Sequence, residues 1–374
     1  MSHRLNYYFL IASTVLVVFG ILYLANLSAP ASLQIFGNTN YYFLHQFYAL
    51  LIGLVFAYLA FKIPLRIIKR FAPLLLLFTI VLLALVLIPA IGVKLWGARR
   101  WLSIGGNSFQ PSELLKISSI LFLSAWLSNR ISSEIRKGVS ARIKSGYENF
   151  IKIFLPFLIF LFLISVILLL QKDLDTLGIT ILSLMAIYFT AKTPLWHTII
   201  TVAGAIAAGI TFIIVEPYRA QRLLVFLRPE TDPLGIGFQL RQSLLAIGSG
   251  GIFGNGWGLS TQKFGFLPQA MSDSLFAIFA EETGIIGCII LISIYIFFFV
   301  QGIKIAKNSQ DSFSKMVAIG IVTWLSTQTF MNIASSMGLF PIAGIPLPFF
   351  SYGGSHLVIE MTAVGLLLNV SKNS

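Results

Sequence analysis

The sequence predicts an all-α polytopic membrane protein of about ten transmembrane helices, with a long extracytoplasmic loop between helices 7 and 8. Three observations predict it. Of 374 residues, 57% are hydrophobic and 10% charged, whereas an ordinary soluble domain carries about 25% charged residues. So few charges cannot cover a soluble body of this size, and at a mean hydropathy of +0.89 the missing cover has to be lipid. Apolar runs close to the roughly 20 residues that a spanning helix needs recur along the whole chain. The basic residues fall in the short segments between those runs, where cytoplasmic loops meet anionic headgroups.

In order, the runs lie near 7–27, 43–61, 72–92, 112–129, 151–170, 176–191, 196–215, 273–300, 317–338 and 352–370. The first follows Arg4 as a secretory signal would. It is too long for such a signal, and no small-x-small cleavage site precedes the next span, so it reads as a retained helix. Ten crossings put both ends on one side. With the N-terminus inside, the inner segments hold 16 Lys and Arg and the outer ones nine. The inner set is Arg4; Lys62, Arg66, Lys69 and Arg70; Arg130, Arg136, Lys137, Arg142, Lys144 and Lys152; Lys192; Lys304, Lys307 and Lys315; and Lys372. Five of the outer nine lie in the loop 216–272, and charges in long loops count little. Both termini are therefore expected in the cytoplasm, with residues 1–374 forming one transmembrane domain.

Composition also excludes several classes. The net charge of +13 would suit nucleic acid, but its distribution between apolar runs matches a membrane surface instead. Cys288, the single cysteine, lies inside an apolar run, which excludes a disulfide framework and a thiolate cluster. Four histidines, at 3, 45, 197 and 356, form no ligand pair at helical spacing. The 33 Phe and 6 Trp suit a lipid-facing surface with aromatic belts.

The 13 acids point to one side. Glu134, Glu148 and Asp311 lie in inner loops. Glu113, Asp173, Asp175, Glu216, Glu230, Asp232 and Asp273 lie at or beyond the outer face, and Glu281, Glu282 and Glu360 fall within spans. A functional site should therefore face outward.

Four outer segments could build that site. In Gly97–Lys116, Arg99 and Arg100 could grip a pyrophosphate while Trp101 stacks on a sugar. Equally, Trp101 could be a belt residue, with Pro111 and Glu113 as helix-start signals. Lys116 lies a turn inside the fourth span, where an ammonium needs a partner, and Glu113 is three residues earlier on the same face. In the loop 216–272, residues 236–247 read as a short amphipathic helix with Leu240, Leu244 and Ile247 on one face and Gln239 and Gln242 on another. The six glycines of Gly248–Gly258 match no nucleotide-binding pattern and suggest tight turns at the mouth of a cavity. Asp273 opens the eighth span, where Ser272 or Asp273 would serve as an N-cap. Glu281, eight residues on, would lie about 12 Å deeper, facing a cavity or a buried partner. The Pro- and Gly-rich Gly344–Ser355 is an ordered outer turn, and Asp173 and Asp175 occupy another, where solvated carboxylates are the default.

Together these segments resemble the SEDS family of FtsW and RodA, in the family's order. Gly97–Lys116 is similar to its G-x-R-R-W…Q-P-S-E-x-x-K motif, and Arg222–Gly251 to R-x-x-x-F-x-x-P-x-x-D-P-x-G…Q-S-x-x-A-I-G-S-G-G. Leu267–Glu282 is similar to L-P-E-A-x-x-D-F-I-F-A-x-x-x-E-E, and Pro346–Ser355 to P-L-P-F-x-S-Y-G-G-S. The family's Q-P-D-L-G-T appears here with Lys172 and Asp175 in place of its Pro and Gly. Gln269 replaces the usual glutamate of L-P-E, and Ser274 the phenylalanine after Asp273. The opening Gly37–Gln46 is more similar to the FtsW branch than to RodA.

The resemblance implies peptidoglycan glycosyltransfer in a bacterial cytoplasmic membrane: polymerisation of lipid II at the outer face, during division or maintenance of cell shape. It implies a class B penicillin-binding protein and other division proteins as partners. Asp273 matches the catalytic aspartate, which would take the proton of the acceptor hydroxyl. Arg99, Arg100, Arg222, Lys116 or a divalent cation, Mg2+ or Mn2+, would balance the departing pyrophosphate, and Trp101 would line the sugar site. Glu113, Gln239, Gln242, Asp173 and Glu281 complete the candidate set. Two other readings stand beside the enzyme: a lipid II flippase, which would need polar groups along its whole path, and a non-catalytic division scaffold.

Overall fold

Lipid offers no hydrogen-bond partners, so a chain of long apolar runs has to satisfy its backbone within helices. The computed structural model describes residues 5–95, 98–104, 107–136, 150–191, 193, 195–215, 217–232 and 235–373. Glu148, Glu216, Arg4, Lys137, Arg142, Lys144 and Lys192 lie outside them. Each of the ten runs corresponds to a helix: α1 (Tyr7–Phe36), α2 (Tyr41–Lys62), α3 (Leu65–Leu87), α4 (Pro111–Arg136), α5 (Leu155–Leu170), α6 (Leu174–Thr190), α7 (Leu195–Val215), α10 (Leu275–Asn308), α11 (Ser312–Ser336) and α12 (Gly354–Lys372). Among the described residues, seven helices are long and apolar enough to cross a membrane, and two shorter apolar helices cover 174–190 and 196–209. The remaining one, α4, carries Glu113, Lys116 and several serines and is the least apolar of the ten.

Local signals set the ends. The side chain of Asn6 accepts the Phe9 N–H at 3.0 Å, and the left-handed Gly37 closes α1 by donating to the Leu33 carbonyl. Pro111 stands at the first position of α4, where its missing N–H costs nothing.

α11 and α12 form the centre, with 61% and 72% of their apolar windows buried, against 22% for α2 and 28% for α3, which face lipid. Close backbone approach replaces hydrophobic driving force here. At Gly365 of α12, an added Cβ would lie 2.2 Å from the Ala57 carbonyl oxygen of α2. The Asn6 N–H donates to Ser371 Oγ at 2.8 Å, so both termini lie at one end of the bundle. The starts of α4 and α12 lie at the other.

Three features depart from expectation. The described residues between 92 and 109 are not helical or irregular but form an antiparallel sheet ordered β1 (Gly92–Leu95), β2 (Ala98–Ile104), β3 (Asn107–Phe109). The strands are too short, and too interrupted by glycine, to show a clear alternation in sequence. Next, the loop 216–272 holds two helices, α8 (Pro217–Leu227) and α9 (Ile236–Gly250), of which only α9 was expected. The packed face of α9 is Gly237, Leu240, Ser243, Ala246 and Gly250, while Leu244 is exposed. The small residues decide that face, because α9 lies directly against α10: a Cβ at Gly250 would meet the Ala280 carbonyl at 2.1 Å.

Finally, α10 is broken at Gly284, whose φ is +64°. Residues 250–256 cross the break and satisfy it. Asn255 and Gly256 donate to the Glu281 and Glu282 carbonyls at 2.9 and 3.1 Å, and Ile285 and Ile286 donate to Gly251 and Ile252 at 3.0 and 3.2 Å. The glycine-rich stretch therefore splints a broken helix. A side chain at Gly284 would collide with the Gly254 nitrogen at 2.4 Å. Before the break every residue from Leu275 to Glu282 is buried; after it, Ile285 opens a lipid-facing surface.

Candidate active site

Asp273 lies on a turn ahead of α10 and caps nothing: the helix begins at Leu275, and its N-cap, Ser274, makes no side-chain cap bond. This overturns the N-cap expected of Ser272 or Asp273. Three elements hold the turn instead. Asn332 of α11 bridges the Asp273 carbonyl at 3.0 Å and the Ile345 carbonyl at 2.7 Å. The Ser351 hydroxyl donates to the Ser272 carbonyl at 2.6 Å, and the Tyr352 N–H to Met271 at 2.8 Å. Gln239 of α9 donates to Ser274 Oγ at 3.0 Å. Asp273 is thus fixed by its backbone while its side chain stays partly exposed.

The charges around it are unequal in number. Asp175, near the start of α6, accepts the Gly344 N–H at 3.2 Å and lies 3.5 Å from Arg222. Asp173 is buried, accepts the Thr176 N–H and the Ser112 hydroxyl, and lies 3.8 Å from Arg100. Arg100 also donates to the Gln171 and Lys172 carbonyls. Among the described residues three carboxylates therefore share two guanidiniums, and Asp273 has no ion pair of its own. A Cβ built on Gly344 would be 3.6 Å from Asp273 Oδ2 and 3.7 Å from Asp175 Oδ2, so the two carboxylates flank the space above that glycine. Burial pushes the Asp273 carboxyl up to about 7, the charge of Asp175 adds to the rise, and Ser272, Arg222 and Arg100 pull the other way. The arrangement supplies a proton acceptor that titrates at neutral pH, beside cations able to meet an anionic group.

The sequence candidates divide on this geometry. Asp273, Asp173, Arg100, Arg222 and Gln239 come together. Gln242 is half-buried on the same helix and joins none of these contacts. Arg99 and Arg100 lie where the ladder register shifts, Val93 pairing with Trp101 and Lys94 with Arg99, and of the two Arg100 joins the Asp273 group. Arg100 reaches Asp173, whereas the buried Nε of Arg99 has no hydrogen-bond partner among the described residues. Trp101 pairs with Val93 across the ladder, and its side chain joins no hydrogen bond or ring contact among the described residues. Glu281 accepts from the Ser260 hydroxyl and from both the N–H and hydroxyl of Thr261, so it anchors the splint rather than the site.

Glu113 and Lys116 pair at 2.8 Å as expected, but in a separate dry cluster between α4, α11 and α12. Glu113 Oε2 also lies 3.0 Å from His356 Nδ1, and His356 Nε2 lies 2.8 Å from Glu360 Oε1. Lys116 donates to Gln328 at 3.0 Å, Gln328 to the Pro346 carbonyl at 3.0 Å, and the Phe349 N–H to Glu360 Oε2 at 2.8 Å. The cluster thus holds the loop that carries Gly344.

Sequence reading missed Asp175, Asn332, Gly344, His356 and Glu360 as parts of these two groups. Two signals were available: Asp175 stands where the resembling motif has glycine, and His356 and Glu360 are an i, i+4 pair inside a span.

The FtsW/RodA/SpoVE family model, described as cell cycle protein, matches residues 6–374. A probable peptidoglycan glycosyltransferase FtsW of Coxiella burnetii is 36% identical over 374 residues, covering 99% of this chain and 97% of that one. Stage V sporulation protein E of Bacillus subtilis is 37% identical over 306 residues, covering 82% and 80%. Among solved structures, a chain of a peptidoglycan synthase complex superposes with a TM-score of 0.78 at 24% identity, covering 98% of both chains. Thermus thermophilus RodA superposes with a TM-score of 0.69 at 24% identity, covering 98% of this chain and 97% of that one. The fold is shared with both, and the chain belongs to the FtsW/RodA/SpoVE family.

Proposed function

We propose that this multi-pass membrane protein is a peptidoglycan glycosyltransferase that polymerises lipid II, with Asp273 as its general base. One observation carries the reading: Asp273 is a partly exposed carboxylate, unpaired, backbone-anchored from three elements, and titrating near 7. An acceptor sugar hydroxyl must lose a proton as it attacks the anomeric carbon, and a carboxylate with that affinity takes it effectively at neutral pH. Direct displacement inverts the anomeric carbon. Arg222 and Arg100, which lie beside Asp175 and Asp173, would meet the developing charge of the pyrophosphate. The family membership and the names of the full-length relatives support the same chemistry.

A divalent cation fits in one way only. Among the described residues no group of three or more His, Cys, Asp or Glu could hold a metal. Asp175 and Asp273 offer two carboxylates flanking Gly344, the donor set Mg2+ or Mn2+ takes when substrate phosphates complete the shell. Bound there, the ion would neutralise pyrophosphate charge. Sidedness follows from the charges: the end bearing the termini also bears most Lys and Arg, so it faces the cytoplasm, and Asp273 faces outward. A class B penicillin-binding protein is the expected partner for crosslinking.

The deciding experiment is polymerisation of labelled lipid II by the purified protein, with and without that partner, beside Asp273→Asn and Asp273→Ala. Glycan strands from the wild type and none from the folded variants are expected. No strands even with the partner would overturn the enzyme reading.

A further inference from the structure

The end of the bundle opposite Asp273 carries a second recess. Arg66, Lys69 and Arg70 follow the start of α3 at spacings of three and four residues, which puts them on one face of the helix. Across a cleft of about 400 Å3 they meet Phe122, Trp126 and Asn129 of α4. That volume lies within the range of ligand pockets, about 300–1,000 Å3. Among the described residues no acid lines the cleft. Lys69 lies 5.7 Å above the Phe313 ring, and among the described residues Arg66 and Arg70 make no ion pair or hydrogen bond. At the same end Lys62 rests on the Tyr58 ring at 5.6 Å and Lys372 on the Phe61 ring at 5.3 Å, contacts that Arg66 and Arg70 lack among the described residues.

The floor is apolar, from Phe122 and Trp126, and Leu74 and Leu77, four residues beyond Arg70 and Pro73 on the same face of α3, are exposed by 59% and 58%. Cations at the rim and an apolar wall running into the bilayer match an amphiphile, not a free ion. We propose that this cleft binds an anionic phospholipid of the phosphatidylglycerol type, its phosphodiester between Arg66, Lys69 and Arg70 and its acyl chains against α3 and α4. Such basic recesses between spanning helices suit lipid headgroups. The site is distinct from the Asp273 group, and its test reads binding, so its failure leaves the glycosyltransferase reading standing.

Trp126 supplies the reporter. The full-length protein would be reconstituted in phosphatidylcholine bilayers containing a small fraction of brominated phosphatidylglycerol or brominated phosphatidylcholine. The fluorescence that Trp126→Phe removes should be quenched preferentially by brominated phosphatidylglycerol. At about a factor of five per cation near a lipid surface, the preference should approach 100-fold at low salt and shrink as salt is added. Arg66→Gln alone should lower it about fivefold, and Arg66→Gln/Lys69→Gln/Arg70→Gln should abolish it. Millimolar inorganic phosphate should not relieve the quenching. Equal quenching by both lipids, a preference unchanged in the triple variant, or relief by inorganic phosphate would each overturn the proposal, the last by making this a free-anion site.

Discussion

Two clusters in this protein use the same residue types to opposite ends. Around Asp273, three carboxylates share two guanidiniums at an accessible turn, and the carboxylate left over is the one whose proton affinity rises to neutral. Between α4, α11 and α12, Glu113 and Glu360 face Lys116 and His356 in full burial. There one carboxylate lies at each imidazole nitrogen of His356, at 3.0 and 2.8 Å, so two acids stand against two basic side chains. An excess charge at an open place is available for chemistry; a balanced set in a closed place holds structure.

The largest effect should come from removing the excess charge. Asp273→Asn keeps the side chain's shape and the backbone anchors but cannot accept the proton. A general base contributes about 10²–10⁴-fold, so the turnover number for lipid II polymerisation should fall by at least about 100-fold with the melting temperature in detergent little changed. A variant retaining most of its activity would make Asp273 part of the structural cluster's kind, and the comparison would collapse.

Unbalancing the closed cluster should cost stability instead. His356→Ala leaves Glu360 without a counter-charge, and breaking a buried pair costs about 3–5 kcal/mol. Adding Glu360→Gln removes the surplus charge while its carbonyl can still accept the Phe349 N–H. His356→Ala/Glu360→Gln should therefore melt higher than His356→Ala alone, a rescue that a simple cavity would not give. If the double variant is no more stable than the single, charge balance is not what the cluster supplies.

Much of this was legible in the sequence, for uneven reasons. Spans announce themselves because lipid demands about 20 apolar residues in a row, and the i, i+3 spacing made the Glu113–Lys116 pair foreseeable. Asp273, Arg100, Arg222 and Asp173 were recognisable from motifs, although nothing local marked them as neighbours. What stayed hidden depends on contacts between distant elements. Asn332 is an ordinary polar residue in an apolar run until it bridges Asp273 and Ile345. The sequence grouped Leu240, Leu244 and Ile247 because helical period says which residues share a face but not which face meets a partner, and the small residues of α9 settled that. The register shift at Arg99 and Arg100 is visible only once the sheet is known.

Asn332 belongs to neither cluster and couples Asp273 to the loop above the closed one. Asn332→Ala leaves two carbonyls unpaired, at about 1 kcal/mol for each lost bond, and frees the turn to drift. Misplacement on the order of 1 Å costs up to about 100-fold, so kcat should drop roughly 10-fold or more while KM for lipid II stays nearly constant. An unchanged kcat would show that the other anchors suffice.

The smallest effect is the most direct reading of the open cluster's electrostatics. Asp273 acts as a carboxylate, so the rate should rise with pH through about 7, where its carboxyl titrates, and level off above. The sign for stability is opposite. A carboxyl raised in the folded state favours folding while protonated, and that contribution is lost as pH climbs from the ordinary carboxylate range to about 7. Burial is the larger cause of the rise and the charge of Asp175 the next, so Asp175→Asn removes one repulsive charge and frees Arg222 to favour the ionised form. The rising limb of the rate profile should move to lower pH in Asp175→Asn, giving a larger fraction of plateau activity at pH 6 even if the plateau itself falls. A limb that does not move would mean that burial alone sets the proton affinity of Asp273, and that the surplus of carboxylates over guanidiniums is incidental to it.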